Sequence, residues 1–489
     1  MRLRQPGGLV VRRGLSVLSL CLALQQVGAL ADDLRAALTA AYQTNPDLLA
    51  ARDNLRATDE NVPLARASAL PSLAGSVNYN NYIEKGGSSY AFTNPDRMLS
   101  ATLNLSVPIY SGGSVKNGLR AAKTRVEAGR ASLRGTESSV FTNTVTAYMD
   151  VIRDAAIVGL QKNNVQVLEI NLQATSDRFE IGNVTRTDVA QSRSRLALAR
   201  ASLRQAEANL VASRETYVRV VGHAPGLLEQ PPPLAGMPGD VDGAVDYALD
   251  NNPDLAAARE QSKAAGFDVK VAAASRKPKV SAVTTSQNVN YLGSSLGGGP
   301  NAIGTLVSGV TASIPLFQGG APAARVRQAE ATQSATMEQE IGAERQVIAT
   351  VRSAWSSWLA AREVIGLNQT AVDAAALSLE GVRAENTVGN RTILNILDAE
   401  QELLNAQVQL VTAQRNEYVA GFALLSAMGK AQARDLGLDG GALYDPASNY
   451  ERVHHRIWDW DSDPAPKAQA TATVDTPAQD ATIPDQPLP

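Results

Sequence analysis

The chain has 489 residues, a formal net charge of −3, one cysteine and only 4% aromatic residues. A near-neutral, slightly acidic balance argues against the basic footprint of a nucleic-acid binder, and one cysteine excludes an internal disulfide framework. Few aromatics with abundant alanine suit long, closely packed helices better than a compact globular core.

Residues 1–31 read as a secretory signal peptide. Arg2, Arg4, Arg12 and Arg13 form a basic start, an apolar run covers 15–24, and Ala29-Leu30-Ala31 supplies a small-x-small cleavage site. A membrane anchor is the other reading, but the run is short for a bilayer span. Cys21 lies inside this segment behind Leu20, where a lipid-attachment signal wants a small residue, so the mature chain is expected to lack cysteine. Removing four arginines and no acid takes the net charge from −3 to −7. Beyond the signal no apolar stretch approaches about 20 residues, so no membrane-spanning helix is predicted. The other structure that satisfies its backbone in lipid is a closed β-barrel.

The remainder is a duplication. Asn45-Pro46-Asp47-Leu48 recurs as Asn252-Pro253-Asp254-Leu255, an offset of 207. The same offset pairs Pro108 with Pro315, Gly112-Gly113 with Gly319-Gly320, Gly182-Asn183 with Gly389-Asn390, and Gly222 with Gly429. Chance matches would scatter over many offsets, so the repeat is structural. The predicted organisation is a first repeat over 32–223, a Pro/Gly linker over 224–240, and a second repeat over 241–429. A C-terminal segment follows over 430–460. The tail, 461–489, is poor in apolar groups and is expected to be disordered.

Each repeat opens with a helix, 45–70 in the first, rich in helix formers and kinked or interrupted at Pro63. Residues 79–95 suit a strand running into a loop. Leu99, Ala101, Leu103, Leu105, Val107 and Ile109 then alternate with polar residues, and Leu306, Val310, Ala312, Ile314 and Leu316 give a similar pattern in the second repeat. Period two with one apolar face is a half-buried strand. It fits a transmembrane barrel, although a soluble sandwich strand carries the same alternation. Strands are predicted near 72–83, 98–110, 279–291 and 304–317. Four strands cannot close a barrel, since small barrels need about eight; in lipid they would demand an oligomer.

After Gly112-Gly113 a helix is predicted to run to about residue 181, some 100 Å at 1.5 Å per residue. Val189, Leu196, Leu203, Leu210 and Tyr217 recur every seven residues in the next helix, with Ser192, Ala199, Ala206 and Ser213 three positions after the first four. Ile396, Leu403 and Leu410, with Ala399, Ala406, Ala413 and Ala420, continue the pattern in the second repeat. A seven-residue apolar repeat is a coiled-coil seam, and small residues on it allow close approach.

These marks resemble the outer-membrane factor family of TolC-like channels. They are Asn45-Pro46-Asp47, residues 107–113 (VPIYSGG), their echo at 314–320 (IPLFQGG) and residues 388–393 (VGNRTI), all within the duplication. Tyr444-Asp445-Pro446 with Tyr450 resembles the subgroup serving type I secretion. The resemblance implies a mixed α and β fold: a homotrimer with a 12-stranded transmembrane β-barrel, four strands per chain, continued by a long α-helical coiled-coil barrel in the periplasm. It places residues 430–460 at the tunnel's equator. It implies as partners outer-membrane lipid, a periplasmic adaptor protein and an inner-membrane ABC or proton-driven transporter, with no cofactor and no nucleic acid.

By the same resemblance Gly182, Asn183, Gly389 and Asn390 form adaptor-contacting tip turns, and Pro108, Gly112, Gly113, Pro315, Gly319 and Gly320 form strand-to-helix turns. The family's periplasmic gate falls on Thr187, Asp188, Arg391, Asn395 and Asp398. An arginine facing a carboxylate forms a charge-assisted bond fit to hold a closed state. This chain departs from the family at Asn395, where an aspartate is usual, and at Asn386, where the family has a latch tyrosine that is echoed here by Phe179.

No catalytic site is expected. His223, His454 and His455 lack the companions of a metal site. Asp459, Asp461 and Asp463 begin like a calcium loop, but Pro464 and Ala470 stand where glycine and glutamate are required. No P-loop, nucleophile elbow or zinc-protease motif occurs. The competing expectations are a periplasmic adaptor, which needs one helical hairpin rather than two, and a structural envelope coiled coil, which leaves the two Pro-to-Gly-Gly segments without a purpose.

Overall fold

The computed structural model describes residues 33–84, 96–292, 302–438 and 443–483; the predicted signal peptide and the loop expected to end at Pro95 fall largely outside them. The first repeat runs α1 (Leu34–Thr44), α2 (Pro46–Asp59), α3 (Asn61–Ala67), β1 (Ser72–Asn81), β2 (Arg97–Tyr110), α4 (Ser114–Glu180) and α5 (Arg186–Val221). The second runs α6 (Val241–Asn251), α7 (Pro253–Ala273), a 3-10 turn (Ala274–Arg276), β3 (Lys279–Tyr291), β4 (Ala302–Ser313), α8 (Ala321–Thr387) and α9 (Ile393–Met428), and α10 (Ser448–Val453) follows. The long helices α4 and α8 each have 67 residues and their return helices α5 and α9 each have 36. At 1.5 Å per residue these are rods of about 100 and 54 Å.

The Asn-Pro-Asp-Leu motif has a local cause. Asn45 Oδ1 accepts the N–H groups of Asp47 and Leu48 and so caps α2, while Pro46 starts the helix where no N–H is needed. Its Nδ2 also donates to the Val220 carbonyl at 2.9 Å, fastening α2 to the end of α5. Asn252 repeats this against Ala427 at 2.8 Å. The predicted helix over 45–70 is divided at Glu60, which puts Pro63 in the first turn of α3, where a ring is tolerated. Lys270 stands at the equivalent position in the second repeat, and α7 is unbroken.

The four strands form one antiparallel sheet in the order β1-β2-β3-β4. Register places Leu73 opposite Leu105, and Gly75, Leu103, Ser286 and Leu306 in one row. One face therefore carries Leu73, Val77, Leu103, Leu306 and Val310, all well exposed, while Ser100 on the opposite face is buried.

The core lies at the middle of the helical rod. Tyr42, Phe141, Tyr148, Tyr217 and Phe422 are buried together there, with Tyr42 stacked on Phe141 at 6.1 Å and Tyr148 donating to the Glu229 carbonyl at 2.6 Å. The C-terminal segment wraps this level. Ser138 donates to the Ala431 carbonyl, and Asn449 donates to Asp59 Oδ2 at 2.8 Å.

The tail differs from expectation. Through residue 483 it has neither helix nor strand, yet it lies on the first repeat. Arg214 donates to the carbonyls of Asp480 and Thr482, the Gln479 N–H donates to Glu215, and Ala481 and Ile483 pack against the core. Arg452 and Arg456 both donate to Asp463, which fixes the turn into the tail and holds that carboxyl down at about 2. A low apolar content did not prevent docking because the helices supply an arginine fork and a groove.

The seven-residue seam appears in α5, where Ser192, Leu196, Ala199, Ala206, Leu210 and Tyr217 are buried. In α9 the burial shifts by one residue, to Leu397 and Leu404, with Ala399 and Ala413. The cause is a second neighbour: Leu397 joins Val165, Leu168, Leu196 and Ala199 of the first repeat.

Candidate functional site

The far ends of the long helices are built twice to one plan. At the end of α4 the Gly182 N–H donates to the Phe179 carbonyl at 2.9 Å and the Asn183 N–H to the Arg178 carbonyl at 2.8 Å, with Gly182 at φ +80°. This crossed pair satisfies the last carbonyls and requires a left-handed residue, hence glycine. At the end of α8, Gly389 donates to Asn386 and Asn390 to Glu385, both at 3.0 Å, with Gly389 at φ +83°. The return helices begin with reciprocal caps. Asp188 accepts from the Thr185 N–H at 2.8 Å and its own N–H donates to Thr185 Oγ1; Asn395 accepts from the Thr392 N–H at 3.1 Å. Asp188 and Asn395 are 207 residues apart and occupy the same position of the two turns.

Of the expected gate residues, then, Asp188 and Asn395 are engaged in their own caps. Arg391 Nε donates to Glu385 Oε2 at 2.6 Å within its own turn, and Asn386 Nδ2 donates to the Arg391 carbonyl at 2.7 Å. Within one chain Asp188 and Arg391 are not brought together. Thr187 is exposed and makes the tip surface with Gly182 and Asn183.

Asp398 is joined to a residue absent from the expected set: Arg195 of α5 donates to its carboxylate. Two residues on, Glu400 is only 8% exposed. It accepts from Asn171 Nδ2 of α4, at 3.1 and 3.2 Å, and from Arg383 of α8 at 3.1 Å. Higher up, Arg415 of α9 donates to Asp150 of α4 at 2.8 Å, beside Arg153, Asp154 and Ser213. Apart from the bond from Arg383, these links join α9 to the first repeat. Their sequence signal was an acid, Glu400, set beside the small-residue seam of a coiled coil.

At the other end of α4, Pro108 sits where the β2–β3 register shifts between Pro108 and Tyr110, which suits a residue with no N–H to donate. Gly112 and Gly113 follow at φ +65° and +89°, and Gly319 and Gly320 at +56° and +82°. Pro315 falls after β4 ends at Ser313.

Burial pushes the carboxyls of Asp59 and Glu137 above the ordinary range, against the lowering pull of bonds from Asn449 and the Ala433 N–H respectively. His454 stacks on Tyr450 at 4.9 Å, and Arg66 lies 2.6 Å from His455 Nδ1. Among the described residues no group of His, Cys, Asp or Glu is arranged to hold a metal ion, and no helix is long and apolar enough to cross a membrane.

A four-stranded sheet with two open edges and an apolar outer face, set on a rod about 100 Å long, is one share of a larger barrel. Burial agrees. Helix α4 buries 20 residues and α8 only six, although both have 67. Helix α8 also leaves Met337, Ile341, Leu359, Val364, Leu367 and Leu377 exposed in a single chain. The class of protein is an outer-membrane channel subunit, with strands in a trimeric barrel and helices in a periplasmic tunnel. The model of the outer membrane efflux protein family matches residues 37–223 and 244–430, one match per repeat, and the chain belongs to this family. It is 32% identical to the outer membrane efflux protein BepC of Brucella suis, over 87% of this chain and 91% of that one. It is 27% identical to the outer membrane protein TolC of Escherichia coli, over 86% and 87%. The crystal structure of the Campylobacter jejuni CmeC outer membrane channel superposes with a TM-score of 0.74 at 17% identity, covering 86% of this chain and 89% of that one.

Proposed function

We propose that this channel is the exit duct of a tripartite type I secretion or efflux system, gated at its periplasmic tip. A periplasmic adaptor docks on the turns at Gly182-Asn183 and Gly389-Asn390, and an inner-membrane ABC or proton-driven transporter supplies the energy. The observation that carries this reading is the shared construction of the two helix ends, a left-handed glycine followed by a reciprocal cap. Six such turns in a trimer make a ring of near-equivalent sites for an adaptor. Because Asp188 and Arg391 are spent locally within one chain, their gate role belongs to contacts between protomers, with Thr187, Asn395 and Asp398 lining the same level. Outer-membrane lipid covers the face bearing Leu103 and Leu306.

Reconstitution of the detergent-purified protein in planar lipid bilayers tests this. Trimeric pores are expected, with low resting conductance that rises in Arg391→Ser. Failure to form pores removes the duct, and pores unchanged by Arg391→Ser remove Arg391 from the gate.

A further inference from the structure

The C-terminal segment climbs the first repeat toward the strands. Tyr444 lies beside Arg52 and Arg56 of α2, Asn449 donates to Asp59 at the end of that helix, and Tyr450 packs on the Val62, Ala122 and Val126 cluster. Arg66 of α3 then donates to the His454 carbonyl at 3.1 Å and meets His455. Beyond this point the chain turns back. Asp461 and Asp463 return to Arg456 and Arg452, Thr471 lies against Gly222, and Asp480 reaches Arg214. The order of contacts makes residues 457–460 the upper end of the segment, and Ile457, Trp458 and Trp460 stand there 67%, 72% and 86% exposed.

That end lies near the membrane. Arg66 precedes the start of β1 at Ser72 by six residues. His455 is also within the field of Lys123, which follows the start of α4 at Ser114 by about 14 Å at 1.5 Å per residue. Three residues of chain from His455 to Trp458 span about 10 Å, enough to bring an indole ring to the level where strands meet helices. Tyr110 and Phe317 are exposed at that same level. Tryptophan and tyrosine favour the membrane–water interface, where one end of the ring is apolar and the other wet.

Charge points the same way. The four strand–helix junctions, residues 61–71, 114–126, 269–279 and 314–327, carry eleven Lys or Arg and no Asp or Glu. The first acids beyond them are Glu60, Glu127, Asp268 and Glu330, and Asp268 is paired with Arg125. Lys116, Arg120, Lys123, Arg276, Lys277 and Lys279 are exposed. A basic collar at the base of a lipid-embedded sheet complements anionic headgroups.

We propose that Ile457, Trp458 and Trp460 form an interfacial anchor in the periplasmic leaflet of the outer membrane, beside a basic collar that gathers anionic phospholipid. The C-terminal segment thereby ties the middle of the tunnel to the bilayer. The anchor is shallow: Asp459, exposed between the two tryptophans, stays hydrated at headgroup depth and not in hydrocarbon. This inference rests on the reading that lipid covers the outer face of the sheet.

The test uses full-length trimers in vesicles, in a Trp355→Phe, Trp358→Phe background that leaves Trp458 and Trp460 as the emitters. Phosphatidylcholine brominated near the headgroup should quench most of their emission, and the same lipid brominated near the chain end should quench little. Brominated phosphatidylglycerol diluted into plain phosphatidylcholine should quench more than brominated phosphatidylcholine diluted alike. Lys116→Ala with Lys123→Ala should remove that difference. If the background does not form trimers, the difference between wild type and Trp458→Phe, Trp460→Phe gives the same readout. Quenching by aqueous acrylamide but by neither brominated lipid puts the loop in water, and quenching by none of them puts it against a neighbouring protomer; each overturns the anchor. Equal quenching by the two headgroups overturns the collar. Leu103→Trp, with all four native tryptophans replaced by Phe, checks the sheet: no quenching by lipid brominated near the chain end overturns the lipid-facing reading itself.

Discussion

Substituting the two paired glycines Gly112 and Gly319 by alanine should damage different things. Gly112 has φ +65°, and a Cβ there would lie 2.8 Å from Lys277 Cβ and 2.9 Å from the Ala274 carbonyl oxygen. The left-handed backbone costs an alanine about 1–2 kcal/mol, and forcing the overlap apart costs about 1–3 more. Both neighbours belong to the same chain, so Gly112→Ala should destabilise the protomer by about 2–5 kcal/mol. Gly319 has φ +56° and nothing within 4 Å of its Cβ in one chain. Subtracting 207 from Ala274 and Lys277 gives Ala67 and Leu70, so the repeat symmetry predicts that those positions of the next protomer fill the equivalent space in the trimer. Gly319→Ala should therefore cost the isolated protomer only the backbone term, about 1–2 kcal/mol, and should weaken each of the three subunit contacts by the overlap term. Gly135 and Gly342 form a second such pair: a Cβ at Gly135 would meet Asp254 Oδ1 at 2.6 Å, and Gly342 is open. The assay is heating in detergent, following helix content by circular dichroism and trimer content by gel mobility. Gly319→Ala should lose trimer at a lower temperature than wild type while helix content persists. A Gly319→Ala trimer as heat-resistant as wild type would refute the placement of the second repeat against the next protomer's first.

Three further outcomes are expected. Arg214→Ala removes the bonds to Asp480 and Thr482, so limited proteolysis should cut within 461–483 much faster than in wild type while the helical melt is unchanged. Burial holds the Asp59 carboxyl above its ordinary range, so the folded state favours its protonated form. Its contribution is then full below the ordinary carboxylate pKa of about 4 and is lost as pH rises through the raised value; melts over that window should show this slope in wild type and a flatter one in Asp59→Asn. Leu103→Arg puts a charge on the apolar outer face, at a cost of about 2–4 kcal/mol near the bilayer midplane. Folding yield into lipid vesicles should fall for Leu103→Arg and hold for Thr102→Arg on the opposite face.

The duplicated elements were legible because their signals are local. Period two at Leu99 to Ile109 and period seven from Val189 to Tyr217 follow from backbone geometry, and the Gly-Gly pairs from a left-handed turn that other residues resist. The constant offset of 207 then transferred each reading to the second repeat. What the sequence concealed is tertiary. The tail's docking depends on Arg214, which lies more than 260 residues away in the chain. The break at Glu60 is one residue-choice effect seen only by contrast with Lys270. The one-residue shift of burial in α9 arises because that helix has two neighbours, and a heptad pattern describes one seam.

The same contrast between local and tertiary signals holds at the tip. Apart from Asp398 inside α9, the gate residues carried over by resemblance lie on the turns or the first turn of a return helix, where spacing from Gly182 and Gly389 fixes them. The turns prove to be self-sufficient: glycines and caps close each one, and the second adds the Arg391–Glu385 pair, without help from the other repeat. A turn that satisfies itself can move as a unit, so it cannot by itself hold two coils together. The bonds that cross between repeats near the tip run from Arg195 to Asp398 and from Asn171 to Glu400. Divergence of the two repeats at these positions is therefore where one duplicated unit acquired two different interfaces, one inside the protomer and one between protomers.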